Sequence, residues 1–328
     1  MLNRREEVHN YLIDKHLIVE DERVTITPLN GGVSNQVWKM TGDHKNWVIK
    51  QSLGTLKTAE IWTSDVNRII REFRAMQYIS PFLSCGVVPP IVFEDSGNHL
   101  FIMESAGDDA VMWKDQLFVG KLETKTVKTV ASVLKEMHNK SVLLDANAKQ
   151  DLLDMSYVEE LRIQPFYLHL LDQFPQIRDI LLQLVDELTQ RSDENCFVHG
   201  DFSPKNMLVD GKGDLTLLDF EVAHFGNPVM DTALLSSHLI LKGMAFNKKP
   251  EFTQLIREFM NEYGPVGQRF PQHLGVFLLA RIKGKSPAEY VTEQSLKDTI
   301  CRLSFSLIKD GRGIETVEAI EFMMKEGC

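Results

Sequence analysis

The hydrophobic pattern of this chain changes its period near residue 104, and this change limits the folds that the chain can adopt. Before that point, short β-prone runs separated by turn residues dominate. These runs are Val24 to Pro28, Asn35 to Met40, Trp47 to Gln51, Ile91 to Phe93 and Leu100 to Met103. Such a pattern predicts an antiparallel sheet built as a meander.

A helical period appears once in this first part and then dominates the rest of the chain. Apolar residues recur every three or four positions from Ser64 to Ile79. Beyond residue 104 the spacing is helical except at a strand pair, Met207 to Val209 and Leu215 to Leu218. We therefore predict an α+β fold with two lobes, a small antiparallel sheet lobe with one helix over 1–104 and a larger, mostly helical lobe over 105–328.

Composition excludes several classes of protein and partner. The 328 residues include 46 acidic and 36 basic side chains, and a net charge of −10 argues against nucleic acid as a partner. Apolar runs stay shorter than the roughly 18 residues that would span a membrane, and no signal peptide is evident at the N-terminus. We expect a cytoplasmic protein without a membrane partner, and the sequence leaves its oligomeric state open.

The segment His199 to Asn206 is the strongest chemical signal. It matches the pattern H-x-D-x-x-x-x-N and precedes the predicted strand pair. In this pattern the aspartate, here Asp201, orients a substrate hydroxyl and accepts its proton, while the asparagine, here Asn206, supplies a neutral oxygen ligand to magnesium. One loop would then hold both the base and the metal, with His199 as part of the catalytic motif.

A second signal follows the strand pair directly. Asp219 stands 18 residues after Asp201, which leaves room for a loop, a strand, a turn and a strand. Magnesium prefers oxygen ligands, so a carboxylate that faces Asn206 across a tight hairpin is suited to bridging nucleotide phosphates. We predict a metal site made by Asn206 and Asp219.

The third signal is Lys50, at the end of the third predicted strand. It follows a glycine turn that contains Gly31, Gly32 and Ser34. A lysine there can reach the α- and β-phosphates, and glycines let backbone N–H groups approach them. We predict a cofactor site at these four residues.

A carboxylate on the following helix must hold that lysine. Glu72 is the preferred partner, and Glu60 is the alternative, although it stands close to where the helix begins. Arg71 is interpreted as part of a solvated face, or else as a brace for Glu72.

With these residues in order, the chain resembles the aminoglycoside phosphotransferase and choline kinase group, within the protein-kinase-like fold. The resemblance runs from Gly31 to a trailing segment over 226–233 that includes Asp231. It implies ATP as phosphoryl donor, with GTP also open, bound with Mg²⁺ against a hinge at Glu104 and Ala106. It also implies a structural role for Asp231, which would brace the catalytic loop.

The substrate follows from departures from the protein kinases. His-Arg-Asp is replaced by His199-Gly200-Asp201, and only 11 residues separate Asp219 from Asp231, so no peptide-docking activation segment fits. The acceptor should be a small molecule with a hydroxyl group, such as an aminoglycoside, choline or a related alcohol. The acidic net charge favours a cationic acceptor.

Several alternatives stay open. A pseudokinase would bind nucleotide without transfer, although it usually lacks one of the residues present here. A hydrolytic metal centre at His199, Asp201 and Asp219 would leave Lys50 without a role. Roles for Lys205 at the γ-phosphate and for the basic loop 282–287 at substrate or nucleotide are undecided. His138, His224, His238 and His273 are interpreted as surface or helix-packing residues.

Overall fold

The structure is a computed structural model, and it describes residues 1–29, 34–55 and 63–326. Three residues of the predicted nucleotide site, Gly31, Gly32 and the alternative carboxylate Glu60, lie outside these described ranges.

Among the described residues, five strands form one antiparallel sheet at the start of the chain, in the order β1-β2-β3-β5-β4. Their bounds are β1 Thr25–Leu29, β2 Asn35–Thr41, β3 Asn46–Ser52, β4 Ile91–Asp95 and β5 Leu100–Glu104. Successive side chains of a strand point to opposite faces, so Val48 and Lys50 share one face of β3 while Ile49 takes the other. This alternation decides which helix each residue meets.

Each face of the sheet is covered by a helix. Helix α1 (Arg5–Asp14) contributes Val8 and Leu12 to an apolar cluster with Ile49 on the outer face. Helix α2 (Arg68–Ile79) packs Phe73 on the inner face. The prediction of a single helix in this region was therefore incomplete, because α1 buries too few apolar positions to produce a strong periodic signal.

The chain from residue 105 onward is largely helical, in agreement with the predicted α+β class. Its helices are α3 Trp113–Phe118, α4 Thr124–Lys140, α5 Ala146–Leu152, α6 Ser156–Val158, α7 His169–Leu171, α8 Arg178–Thr189, α9 Val229–Ala245, α10 Lys249–Tyr263, α11 Phe270–Lys283, α12 Gln294–Asp310 and α13 Thr316–Glu326. A π-helical segment, Glu159–Leu168, joins α6 to α7. Among the described residues, no helix is both long and apolar enough to cross a bilayer.

Short strands interrupt the helices where the chemical motifs lie. They are β6 Val111–Met112, β7 Cys196–Val198, β8 Met207–Val209, β9 Leu215–Leu217 and β10 His224–Gly226. Strands β8 and β9 form the hairpin predicted from the sequence, with Met207 opposite Leu217. The first sheet ends at Glu104, next to the predicted division at 104/105, which stays a prediction.

Helix α9 lies at the centre of the helical part. Nearly all of its residues from Val229 to Met244 are buried, so it packs on every side. A helix in such surroundings should be apolar all round. Asp231, His238 and Lys242 break this rule, and a buried polar group of this kind is costly unless it finds a partner.

Candidate active site

Strand β7 delivers the chain into the loop His199 to Asn206, and Asp231 of α9 holds the start of that loop. The Asp231 carboxylate accepts hydrogen bonds from the backbone N–H of His199 and of Gly200, each at 2.8 Å. His138 of α4 lies 3.2 Å from the same carboxylate through Nε2. Asp231 therefore makes the buried hydrogen bonds that the resemblance implied, and His138 is a buried partner rather than a surface residue.

The loop depends on a glycine between the histidine and the aspartate. Gly200 has φ +76, in the left-handed region that glycine adopts without steric cost. A Cβ atom at this position would lie 2.6 Å from the carbonyl oxygen of Val222. The arginine of the protein kinase motif is thus excluded here by backbone geometry and by space.

His199 lies beneath the loop, fully buried. Its Nε2 is 3.1 Å from the carbonyl oxygen of Leu218, to which it donates, and its Nδ1 accepts the backbone N–H of Asp201 at 3.2 Å. Burial lowers the pKa of this imidazole, which favours the neutral ring that these bonds require. Since both ring nitrogens are occupied, the geometry does not favour His199 as a metal ligand.

Asp201 is held by two cations. Its Oδ2 lies 2.9 Å from Nη2 of Arg162 and 2.8 Å from Nζ of Lys205. Burial alone would raise the pKa of Asp201, but Arg162 and Lys205 outweigh it and hold that pKa well below its usual range. Arg162 also donates from Nε to the carbonyl oxygen of Gly200 at 2.6 Å, so it fixes both the backbone and the side chain of the loop.

The hairpin brings Asn206 and Asp219 together as predicted. The backbone N–H of Leu218 donates to the carbonyl oxygen of Asn206 at 2.9 Å. The Asn206 amide nitrogen donates to the Asp201 carbonyl oxygen at 3.0 Å, so its amide oxygen is the atom that could coordinate a cation. Asp219 follows β9 with φ +70, which turns its carboxylate toward the sheet lysine.

Lys50 connects the sheet, α2 and the hairpin. Its Nζ lies 2.6 Å from Oε1 of Glu72 and 2.6 Å from Oδ1 of Asp219. Burial by itself would lower the pKa of Lys50, but the carboxylates of Asp219 and Glu72 more than reverse this and raise it. Lys50 is therefore a fixed cation, and Glu72 is its partner among the described residues.

Arg68, which sequence reasoning did not select, organises the other side of this site. Its guanidinium is fully buried and donates to the carbonyl oxygens of Ser34 and Leu53, the latter at 2.8 Å. Its Nε contacts Oε2 of Glu221 at 3.2 Å. Arg68 thus ties α2 to Ser34 and to the residue two positions after Asp219.

The donor set near Asp219 fits a hard divalent cation. Glu72, Asp219 and Glu221 can each present a carboxylate oxygen within 4.8 Å of the others. Oxygen ligands of this kind suit Mg²⁺. Lys50 contacts both Glu72 and Asp219, and Arg68 contacts Glu221, so each of these carboxylates has a cation beside it in this structure. The metal site of Asp219 and the amide oxygen of Asn206 stays a prediction.

The predicted hinge lies at the end of β5. The backbone N–H of Glu104 donates to the Pro90 carbonyl oxygen at 2.9 Å, and that of Ser105 donates to Asn46 at 2.7 Å. Glu104 and Ala106 line an open groove of about 1110 Å³ whose opposite wall is α4. Lys50, Asp201 and Asp219 do not line that groove, and the adenine contact at Glu104 and Ala106 stays a prediction.

Three solved structures of small-molecule kinases share this arrangement of elements. An amicoumacin kinase in complex with AMP-PNP, Ca²⁺ and Ami superposes with a TM-score of 0.58 at 13% identity, covering 93% of this chain and 96% of that one. A Plasmodium vivax ethanolamine kinase gives 0.54 at 16% identity, with coverages of 99% and 88%. A spectinomycin phosphotransferase in complex with ADP and spectinomycin gives 0.54 at 13%, with coverages of 99% and 95%. The predicted two-lobed, kinase-like fold is confirmed.

The sequence itself gives the more specific result. Residues 25–269 match the sequence profile of the phosphotransferase enzyme family, and the chain belongs to that family. It is therefore a small-molecule kinase, which transfers phosphate to a hydroxyl group. No curated protein sequence matches the chain.

Proposed function

We propose that this protein transfers the γ-phosphoryl group of ATP, bound with Mg²⁺, to a hydroxyl of a small molecule. The observation that carries this proposal is a set of contacts: Lys50 binds both Glu72 and Asp219, while Asn206 is bonded to Asp201 and to Leu218, the residue before Asp219. It joins a phosphate-binding cation, metal-binding oxygens and a hydroxyl-orienting carboxylate in one site.

Asp201 acts on the acceptor. Because its pKa lies well below the usual range, it stays ionised at neutral pH and accepts a hydrogen bond from the acceptor hydroxyl. The hydroxyl oxygen forms its bond to the γ-phosphorus as the bond to the β–γ bridging oxygen breaks, which releases ADP, and the hydroxyl proton passes to Asp201. His199, which contacts only the protein, acts as a positioning residue for this loop.

The remaining residues act on the donor. Lys50, fixed by Glu72, holds the α- and β-phosphates, and Asp219 with Asn206 would hold Mg²⁺, which neutralises phosphate charge when bound. The carbonyl oxygen of Ser34 is fixed by Arg68, and the predicted phosphate contacts of Gly31 and Gly32 stay predictions outside the described residues. We retain the predictions of adenine binding at Glu104 and Ala106, of a lobe division at 104/105 and of a cytoplasmic location.

The variant Asp201→Asn tests the proposal. We expect kcat to fall by about 10²-fold or more, while Mg-ATP affinity measured by calorimetry changes only a few-fold, since Lys50 and the metal ligands remain. Asp193→Asn, at an exposed position, is the matched control and should behave as wild type.

Two outcomes would contradict the proposal. An Asp201→Asn variant that keeps over half of the wild-type kcat would remove Asp201 from the chemistry. Tight Mg-ATP binding without turnover of any hydroxyl compound would instead favour a nucleotide-sensing protein.

A further inference from the structure

A second group of buried polar residues lies on the acceptor side of the catalytic loop. His238 and Lys242 follow Asp231 on α9 by seven and eleven residues, which places all three along one side of the helix. Asp231 holds the catalytic loop, so His238 and Lys242 continue the same side away from it. Arg281, near the end of α11, belongs to this group, because its charge acts on His238 and the charge of Asp201 acts on both of them.

Lys242 has no counter-ion among the residues that the structure describes. Only 3% of the surface of this residue is exposed. In the described part of the chain, no carboxylate lies within ion-pair distance of its Nζ. Its contacts are the rings of Phe118 and Tyr290, whose centroids lie 5.7 Å and 5.0 Å from Nζ. Cation–π contacts of this kind recover only part of the cost of burying an ammonium group.

Two polar atoms of this group are buried without a hydrogen-bond partner in the described residues. They are Nε of Arg281 and the hydroxyl of Tyr290. Arg281 uses Nη1 for the carbonyl oxygen and hydroxyl of Ser286, at 2.5 Å and 3.0 Å, which ties it to the loop 282–287. Buried donors without acceptors are rare in proteins, and a cluster of them indicates a ligand site.

The charges around this cluster are mainly positive. Arg162 and Lys205 already lie on Asp201, Arg281 also interacts with that carboxylate, and Lys242 is close enough to Arg281 to be repelled by it. Burial of Lys242 and repulsion from Arg281 and Lys114 lower the pKa of Lys242 to about 7. An acidic ligand would relieve both effects, whereas a cationic one would add to the repulsion.

From this cluster we infer that the acceptor carries an anionic group, a carboxylate or a phosphate, which binds between Lys242 and Arg281 while its hydroxyl faces Asp201. The inference rests on the proposed function and specifies its acceptor class. It reverses the cationic acceptor favoured by the net charge of −10, because buried local charges act on a ligand far more strongly than a solvent-screened total does. The rings of Phe118 and Tyr290 contact the ammonium but carry no net negative charge, so an anion is the partner that would neutralise it.

Acceptors matched in carbon skeleton test this inference. The panel has two sets, each with an anionic, a neutral and a cationic compound: glycerate, glycerol and serinol, and gluconate, glucose and glucosamine. Glycerol 3-phosphate is added to test phosphate as the anionic group. Calorimetry measures binding to the full-length protein, and ADP release measures turnover. We expect the anionic members to bind at least 10-fold more tightly than their neutral and cationic counterparts, and glycerol 3-phosphate against glycerate shows which anion the site prefers.

Lys242→Met removes the charge and keeps an apolar side chain between the rings. It should weaken binding of the preferred anion at least 10-fold and leave KM for ATP within about twofold, because the nucleotide contacts are elsewhere. Lys309→Met, at an exposed position of α12, is the control and should change neither quantity.

Three results would overturn the inference. In the first, neutral or cationic acceptors bind as tightly as anions. The proposed kinase function would still stand in that case if turnover is lost in Asp201→Asn. In the second, Lys242→Met raises KM for ATP instead, which would assign the lysine to the nucleotide. In the third, no anion of the panel binds or is phosphorylated.

Discussion

Replacing Asp231 tests whether the catalytic loop is held from α9. In Asp231→Ala, two buried backbone N–H groups, those of His199 and Gly200, lose the acceptor that they now have at 2.8 Å. An orphaned buried donor costs roughly 1–3 kcal/mol, so the two together should lower the free energy of unfolding by about 4 kcal/mol. That loss is a large share of the roughly 5–15 kcal/mol that stabilises a typical domain.

Urea unfolding followed by circular dichroism measures this loss, and amide exchange at Gly200 localises it. Asp210→Ala is a matched control, because Asp210 also accepts two backbone N–H groups, those of Lys212 and Asp214, but in solvent where water replaces it. Asp231→Asn keeps one acceptor oxygen and should lose about half as much, about 2 kcal/mol, so it serves if the alanine variant does not fold.

The result that would refute this reasoning is specific. If Asp231→Ala unfolds within about 1 kcal/mol of wild type and the Gly200 amide stays protected, the two hydrogen bonds do not hold the loop.

Three further predictions concern the donor side of the site and its surroundings. Lys50→Ala and Glu72→Ala should each lower kcat/KM for ATP. The double variant should lose much less kcat/KM than the two single losses combined, because both substitutions remove the same ion pair. Additive losses in steady-state assays would contradict the pair. Asp219→Gly, which the left-handed backbone tolerates, should abolish Mg-dependent nucleotide binding in calorimetry, whereas Asn206→Ala should only raise the magnesium requirement, and unchanged affinity in Asp219→Gly would contradict the metal site. Burial lowers the pKa of His224 to about 4, below the roughly 6.5 of an unfolded histidine, so the stability it contributes is present above pH 6.5 and lost as pH falls. Urea unfolding should show that the free energy of unfolding decreases by about 2 kcal/mol between pH 7 and pH 5, and His224→Gln should reduce this decrease. The same pH dependence of stability in both proteins would contradict this prediction.

The parts of the site that lie close together in the sequence could be predicted from it. The loop His199 to Asn206 and Asp219 are joined by a single hairpin, so their spacing alone determines that they meet. Lys50 and Glu72 come from a strand and the helix packed on it, and the period of each places both side chains in the same layer. The catalytic roles of these residues stay predictions.

The residues that the sequence did not reveal depend on contacts between distant segments. Arg162 reaches Asp201 from a π-helical segment, where the usual helical spacing does not apply. Arg71 was interpreted as solvated or as a brace for Glu72, yet it is buried and donates to the Ala223 carbonyl oxygen at 3.4 Å. A polar residue on a helix is usually exposed to solvent, and only the tertiary structure shows which polar residues are buried instead.

The contacts of Lys242 could not be predicted from the sequence either. Its surroundings are set by side chains from α3 and from the segment after α11, more than 45 residues away in either direction. The net charge of −10 is a total over the whole chain, and it does not show that basic side chains are grouped at this interior position. Counting charges over a whole sequence cannot show where they are buried.

The left-handed backbone of Asp219 has a consequence for engineering. At φ +70, side chains other than glycine, asparagine and aspartate meet steric strain, so most replacements would disturb the hairpin as well as the carboxylate. A saturation library at this position would therefore report mostly on folding. Asparagine and glycine are the replacements that keep the backbone, and they separate the loss of charge from the loss of the whole ligand. Glutamate, often chosen as the conservative exchange, would be among the least informative.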